Sequence, residues 1–357
     1  MSKPLPSALS VSMGAGVGYQ RLGRRRLMIV ALSFLLLVIS FTCDILTGPA
    51  QLPLSDILST IWSPDSASDS LRTIIWTFRF PTALMALLVG ASLGVAGAEM
   101  QTILNNPLAS PFTLGISAAA SFGAALALVF GAGTFVFAST LLVPGFAFAS
   151  ALFGAMMIYG IGRMRGGSTE TLIVGGVALH FIFSSGVAFL QYVASDDTLQ
   201  AIVFWIFGSL QGATWSKVAI LCVVLSAAMS LLATQAWRLT ALRLGDIQAR
   251  SMGVDVDRLR LQTLALISIL TATAVCFTGA IGFVGLVAPH LSRASVGEDQ
   301  RYFLPLSALY GALLVSVAAV ICKLAIPGAI FPIGIATAAL GAPFFAALAL
   351  LKRRAYW

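Results

Sequence analysis

The chain alternates between long apolar runs that carry no charge and short polar stretches that hold nearly all of its ionisable residues. The first run, residues 27–43, follows Arg24-Arg25-Arg26 and approaches the length needed to cross a bilayer. A basic cluster before an apolar run is also the pattern of a cleavable signal. No A-x-A-like site follows at Thr47-Gly48-Pro49-Ala50, so the run reads as a retained helix. No charged residue occurs between Met100 and Gly162, a stretch too long for one span. Asn105-Asn106-Pro107, Pro111 and Gly131-Ala132-Gly133 divide it.

The same reasoning places further spans at 73–104, 112–131, 136–160, 169–194, 214–236, 260–281, 283–295, 302–325 and 331–351. Together with the first they predict about ten, and 283–295 is short for a full crossing. Two short helices are also predicted. One is amphipathic, at Leu54–Trp62 in an outer loop, and the other covers 198–210 at the outer surface. Small residues such as Gly90, Gly94 and Gly97 suit close helix packing, or a pathway wall free of bulky side chains.

Composition strengthens this picture. Charged residues make up 10% of the chain and apolar ones 59%, with a mean hydropathy of +0.96. Soluble proteins carry about 25% charged residues, so a soluble enzyme or a secreted disulfide scaffold is excluded. Cys43, Cys222, Cys276 and Cys322 all lie in apolar runs and read as small hydrophobes.

The net charge of +8 has a topological origin. With the N-terminus inside, the inward segments hold Lys3, Arg21 and Arg24–Arg26; Arg163 and Arg165; Arg238, Arg243, Arg250, Arg258 and Arg260; Arg293 and Arg301; and Lys352–Arg354. Arg72, Arg79, Lys217 and Lys323 fall elsewhere. The fold class expected is an all-α integral membrane protein with both termini cytoplasmic and no nucleic-acid partner. Residues 1–26 form a flexible basic tail, 27–351 a single transmembrane domain and 352–357 a second tail.

No G-x-x-x-x-G-K-[ST] loop is present, so the chain has no phosphate cradle of that kind for hydrolysing a nucleotide. Within the spans, Glu99 is expected to snorkel inward or pair with an amide, and His180 to pack with a hydrogen bond. A proton path through both is the rival interpretation. His290 and Arg293 suit the inner end of a helix.

Residues 237–258 form the longest inner loop between spans. Gly245 ends one short helix, Asp246 N-caps the next over Ile247–Met252, and Gly253 closes it. Ala249 and Met252, three apart, would share an exposed face offered to a partner, unless the segment is an ordinary solvated loop.

Several segments, in order, resemble the FecCD-type permeases of ABC importers for ferric siderophores, haem and vitamin B12. They are Gly97-Ala-Glu-Met-Gln101, Asn106-Pro-Leu-Ala109, Leu114-Gly-Ile-Ser117, Gly175-Gly-Val-Ala-Leu179 and Trp205-Ile-Phe-Gly-Ser209. Leu244–Val254, Gly282–Arg293, Pro332-Ile-Gly-Ile335 and Gly341-Ala-Pro-Phe-Phe345 complete the set.

The resemblance implies a second permease subunit (the same chain or a relative), two cytoplasmic ATPase subunits that hold ATP–Mg, and a periplasmic substrate-binding protein. It implies an inner-membrane location and a chain that is no enzyme and binds no cofactor or metal itself. The cargo would be an iron complex, foremost a ferric siderophore. The ATPase-coupling residues would be Leu244, Gly245, Asp246, Ala249, Met252, Gly253 and Val254. Ser168 and Thr169 match the family's cytoplasmic gate, where Glu170 adds a charge. Arg72, one of few outer cations, is the candidate for docking the binding protein. The alternative is a proton-coupled secondary transporter using Glu99 and His180.

Overall fold

The computed structural model describes residues 8–50, 52–131, 139–164, 168–325 and 331–351, and every regular element among them is helical. Each of the ten apolar segments falls on a helix. These are α1 (Ala8–Leu46), α4 (Phe80–Ile103), α5 (Ile116–Gly131), α6 (Ser139–Met164), α7 (Thr169–Val193), α9 (Trp215–Thr234), α12 (Val256–Thr278), α13 (Val284–Val296), α14 (Gln300–Ala325) and α15 (Ile333–Leu351).

Among the described residues, seven helices are long and apolar enough to cross a membrane. Helices α5, α13 and α15 are shorter. The two short helices expected outside the spans are present, as α2 (Leu54–Trp62) and α8 (Asp196–Phe207). A short α3 (Asp69–Arg72) and a π-helical stretch (Thr73–Arg79) lead directly into α4. The expected flexible tail is corrected: α1 already begins at Ala8, because extending a helix from an established span costs little. Arg165 and Lys352–Arg354, used in the charge count, lie outside the described residues.

Helix α4 is the axis of the bundle. Every residue from Ser92 to Ile103 is buried, with α14, α12, α13 and α9 packed around it. Helices α1, α6, α7 and α9 instead leave most of their apolar surface outward, as lipid-facing helices do. Glycine makes the close approach possible. A Cβ on Gly90 would overlap the Gly311 carbonyl, one on Gly94 the Ser307 carbonyl, and one on Gly97 the Gly285 carbonyl. These glycines therefore bring backbones together.

Polar clasps hold the end of the bundle where α1 stops. Lys323 of α14 pairs with the buried Asp44 of α1 at 2.7 Å and also donates to the Asp44 carbonyl at 2.7 Å. Arg79, itself buried, donates to the carbonyls of Ile45 (2.9 Å) and Leu46 (3.1 Å), which the end of α1 leaves unpaired, and to that of Ala50 (2.7 Å) in the loop beyond. Midway along, the hydroxyls of Ser40 and Ser316 meet at 2.8 Å. Trp215 donates to the Trp76 carbonyl at 2.9 Å, and Trp76 stacks on Phe80 with centroids 4.7 Å apart.

A bulky side chain at the α4–α14 contact should be costly. Gly311→Val is expected to destabilise the bundle by about 3 kcal/mol, the upper range of overpacking, because the added atoms meet backbone. Gly160→Ala, where a Cβ meets nothing within 4 Å, is expected to be neutral. Thermal unfolding in detergent, followed by circular dichroism, compares the two; equal midpoints would show that α4 and α14 are not held by close approach.

Candidate functional site

The last turn of α4 leaves carbonyl groups without intrahelical donors and carries the negative end of the helix dipole. Three arginines from three other elements converge on it. Arg260 of α12 donates through Nε to the Ile103 carbonyl at 2.8 Å. Arg243 reaches the Gln101 carbonyl at 3.3 Å and Asn105 Oδ1 at 3.0 Å. Arg293 of α13 donates to Gln101 Oε1 at 2.9 Å. Gln300, at the start of α14, donates to the Thr102 hydroxyl at 2.9 Å.

Glu298 joins two of these cations: Arg243 donates to it, and Arg293 Nε lies 3.0 Å away. Burial pushes the Glu298 carboxyl up, but Arg243 and Arg293 outweigh it and hold the group below the ordinary carboxylate range. The hydrogen bond from Arg301 does the same for Asp299 against burial, and Arg26 adds to it from 3.6 Å. Arg26 also lies over the Tyr302 ring, 5.1 Å from its centroid. Five cations assigned inward by charge counting are thus gathered at one end of the molecule.

The loop expected to carry the partner contact hangs from this cluster. It contains α10 (Ala236–Leu242) and α11 (Asp246–Ser251), and Gly245 (φ +103°) and Gly253 (φ +82°) supply the left-handed breaks on either side. Two details of the expectation are corrected. Asp246 does not cap α11; Gly245 holds the N-cap position, and the Asp246 carboxylate turns back to Arg260 Nη2 at 3.0 and 3.2 Å.

Ala249 is fully buried, and Val254 is buried with it. Tying Asp246 to α12 turns the small face of α11 inward, toward the apolar cluster that holds Leu242 and Leu259. The outward apolar side chains are Ile247 (79% exposed), Leu244 (60%) and Met252 (47%). A groove of about 620 Å³ beside Leu244 is lined by Trp237, Thr240 and Glu298, among others.

Other candidates lie apart from this cluster. Ser168 caps α7, accepting from the Thr171 amide at 3.3 Å, with Thr169 and exposed Glu170 in the first turn. Arg72 is exposed on α3 and lies 3.7 Å from Asp65, itself exposed. Glu99 neither snorkels nor pairs with an amide: it is fully buried in α4, and both its oxygens lack a hydrogen-bond partner among the described residues.

His180 packs between Phe112 and Phe181, with centroids 6.0 and 5.8 Å away, and its Nδ1 lacks the expected hydrogen bond. No hydrogen bond joins it to Glu99 among the described residues. His290 packs against Phe344 and Phe345 of α15. Sequence reasoning missed Asp44, which lies one residue beyond the first apolar run and looks like an interfacial group. Its proximity to Lys323 appears only when α1 and α14 are brought together.

Residues 36–351 match the FecCD transport family, and the chain belongs to it. It is 36% identical to the vitamin B12 import system permease of Vibrio cholerae over 81% of this chain and 87% of that one. It is 34% identical to the hemin transport system permease of Yersinia pestis, over 92% and 96%. Among solved structures, an inward-facing ABC transporter assigned to the metal-chelate type superposes with a TM-score of 0.79 at 30% identity. That match covers 91% of this chain and 99% of the other.

Two outcomes follow from the cluster. Ala249→Trp is expected to lower stability by about 2 kcal/mol, since the indole has no room on the buried side of α11; an unchanged thermal midpoint would return Ala249 to the surface. Glu298, with its folded carboxyl depressed, contributes stability above the unfolded carboxylate range that is lost as pH falls through the folded value. Glu298→Gln is therefore expected to lower the midpoint at pH 7, with the gap to wild type constant down to about pH 5 and closing below about pH 4. Midpoints measured across that range check the sign.

Proposed function

We propose that the chain is the permease subunit of an ATP-driven, binding-protein-dependent importer that moves an iron complex, foremost a ferric siderophore, from periplasm to cytoplasm. Ten helices cross the inner membrane, with both termini cytoplasmic. A second permease subunit, the same chain or a relative, completes the pathway. Two cytoplasmic ATPase subunits bind ATP–Mg and supply the work, and a periplasmic protein delivers the cargo to an outer face that includes Arg72. Residues Ser168, Thr169 and Glu170, at the inner start of α7, act as the gate.

Helix α11 carries the proposal. An isoleucine 79% exposed, flanked by Leu244 and Met252 on a polar segment beyond the apolar spans, calls for a protein cover. The chain also lacks a phosphate loop of its own. Closure of the ATPases around nucleotide would press on Ile247 and Met252 and rock the helices behind them. The cargo class draws support from a relative named for hemin and from a structural neighbour of the metal-chelate type. A proton-driven route gains no such support, since Glu99 and His180 sit on different helices with no hydrogen bond between them.

In vesicles containing the permease, its ATPase and its binding protein, uptake of a radiolabelled ferric chelate is expected to need ATP and to survive an uncoupler. Uptake that stops on uncoupling while ATP is maintained overturns the proposal. Ile247→Glu is expected to leave permease yield intact and to weaken ATPase capture about 30-fold, the weight of one central interface anchor. Arg72→Glu is expected to weaken binding-protein docking several-fold at low ionic strength and less at high, where screening removes the charge contribution. Titrations at two salt concentrations read this directly.

A further inference from the structure

Helix α11 is joined to the rest of the chain through two glycines in left-handed conformations, Gly245 and Gly253. A six-residue helix between two such joints would tilt by itself when pressed, and the push would be lost in the loop. Two side-chain links oppose that tilt: Arg250 of α11 donates to Asp257 of α12 at 3.0 and 3.2 Å, both groups exposed, and a buried link goes on to α4. The Arg260 guanidinium, with its side chain 3% exposed, holds the first residue of α11 through Asp246 (3.0 and 3.2 Å) and the last residue of α4 through the Ile103 carbonyl (2.8 Å). The two partners lie 14 and 157 residues away along the chain.

We infer that Arg260 is a positioning residue that couples α11 to the inner end of α4, so that a displacement imposed on the short helix is delivered to the axis of the bundle. The inference rests on the assignment of α11 as the ATPase contact. A planar guanidinium suits the task because its donors point in fixed directions from one rigid plane, toward a carboxylate on one side and a carbonyl on the other. The donor to Asp246 makes a charge-assisted bond, the strongest kind available between neighbouring side chains. Arg243 runs alongside, from the segment entering α11 to Asn105 and Gln101. It holds the end of α4 but makes no bond to α11 itself.

The test uses the complete transporter in vesicles and reads ATP hydrolysed per ferric chelate imported, alongside ATPase co-purification. Arg260→Lys replaces the fork with a point charge that cannot serve both partners. Asp246→Asn removes the charge at the α11 side, on a half-exposed residue, and leaves the buried guanidinium and its bond to α4 in place.

Both variants are expected to retain ATPase capture and hydrolysis while the ATP consumed per chelate rises about tenfold, the leverage of one charge-assisted bond on an equilibrium. Asp246→Glu, which keeps the carboxylate, is expected to stay near the wild-type ratio. A wild-type ratio in both Arg260→Lys and Asp246→Asn overturns the inference. So does loss of ATPase capture in Asp246→Asn, since Asp246 would then be a contact residue. If Arg260→Lys fails to accumulate, Asp246→Asn decides alone. Failure of the wild-type complex to import with ATP counts against the proposed function instead.

Discussion

Helix α4 is held where backbone meets backbone, and the placement of every other element follows from that contact. Lipid tails are as apolar as leucine, so water expulsion does not drive one span onto another inside a bilayer. What remains is close packing and the occasional polar bond. Gly90, Gly94 and Gly97 let α4 approach α14 and α13 until carbonyl groups occupy the space where a Cβ would be. The resulting rod, buried on all sides from Ser92 to Ile103, fixes where its two ends emerge. The polar chemistry of the molecule is arranged around those ends.

At both ends the same electrostatic device recurs. A helix that stops leaves carbonyls unpaired, and a cation from a distant part of the chain takes them. Arg79 and Lys323 serve the end of α1, while Arg260 and Arg243 serve the end of α4. A buried cation is expensive when isolated. Here each has carbonyl acceptors or a carboxylate such as Asp44, Asp246 or Glu298 close by. The basic excess of the chain is therefore also its stock of helix-capping groups.

How legible this was in the sequence depended on the distance over which each feature is decided. The ten apolar segments, and even the limits of α2, follow from local pattern, because a span must be apolar along its whole length. Gly245 and Gly253 were legible as breaks, since only glycine enters those conformations cheaply. The orientation of α11 was not. Asp246 looks like an N-cap until Arg260, 14 residues on, is seen to claim it, and that one bond turns Ala249 inward and Ile247 outward. The partners of Asp44 and of the α4 carbonyls lie even farther off, and the sealed environment of Glu99 is made by helices that sequence alone does not bring together.

The long separation between α4 and its capping arginines bears on how the protein is made. At about 5–20 residues per second, the ribosome needs roughly 8–30 s to travel the 157 residues from Ile103 to Arg260. Through that interval the end of α4 has already been synthesised, while the groups that will satisfy it do not yet exist. Water, headgroups or an insertion chaperone must bind those carbonyls in the meantime. The first half of the chain therefore enters the membrane as an unfinished intermediate, and completion of the bundle waits for the second half to arrive.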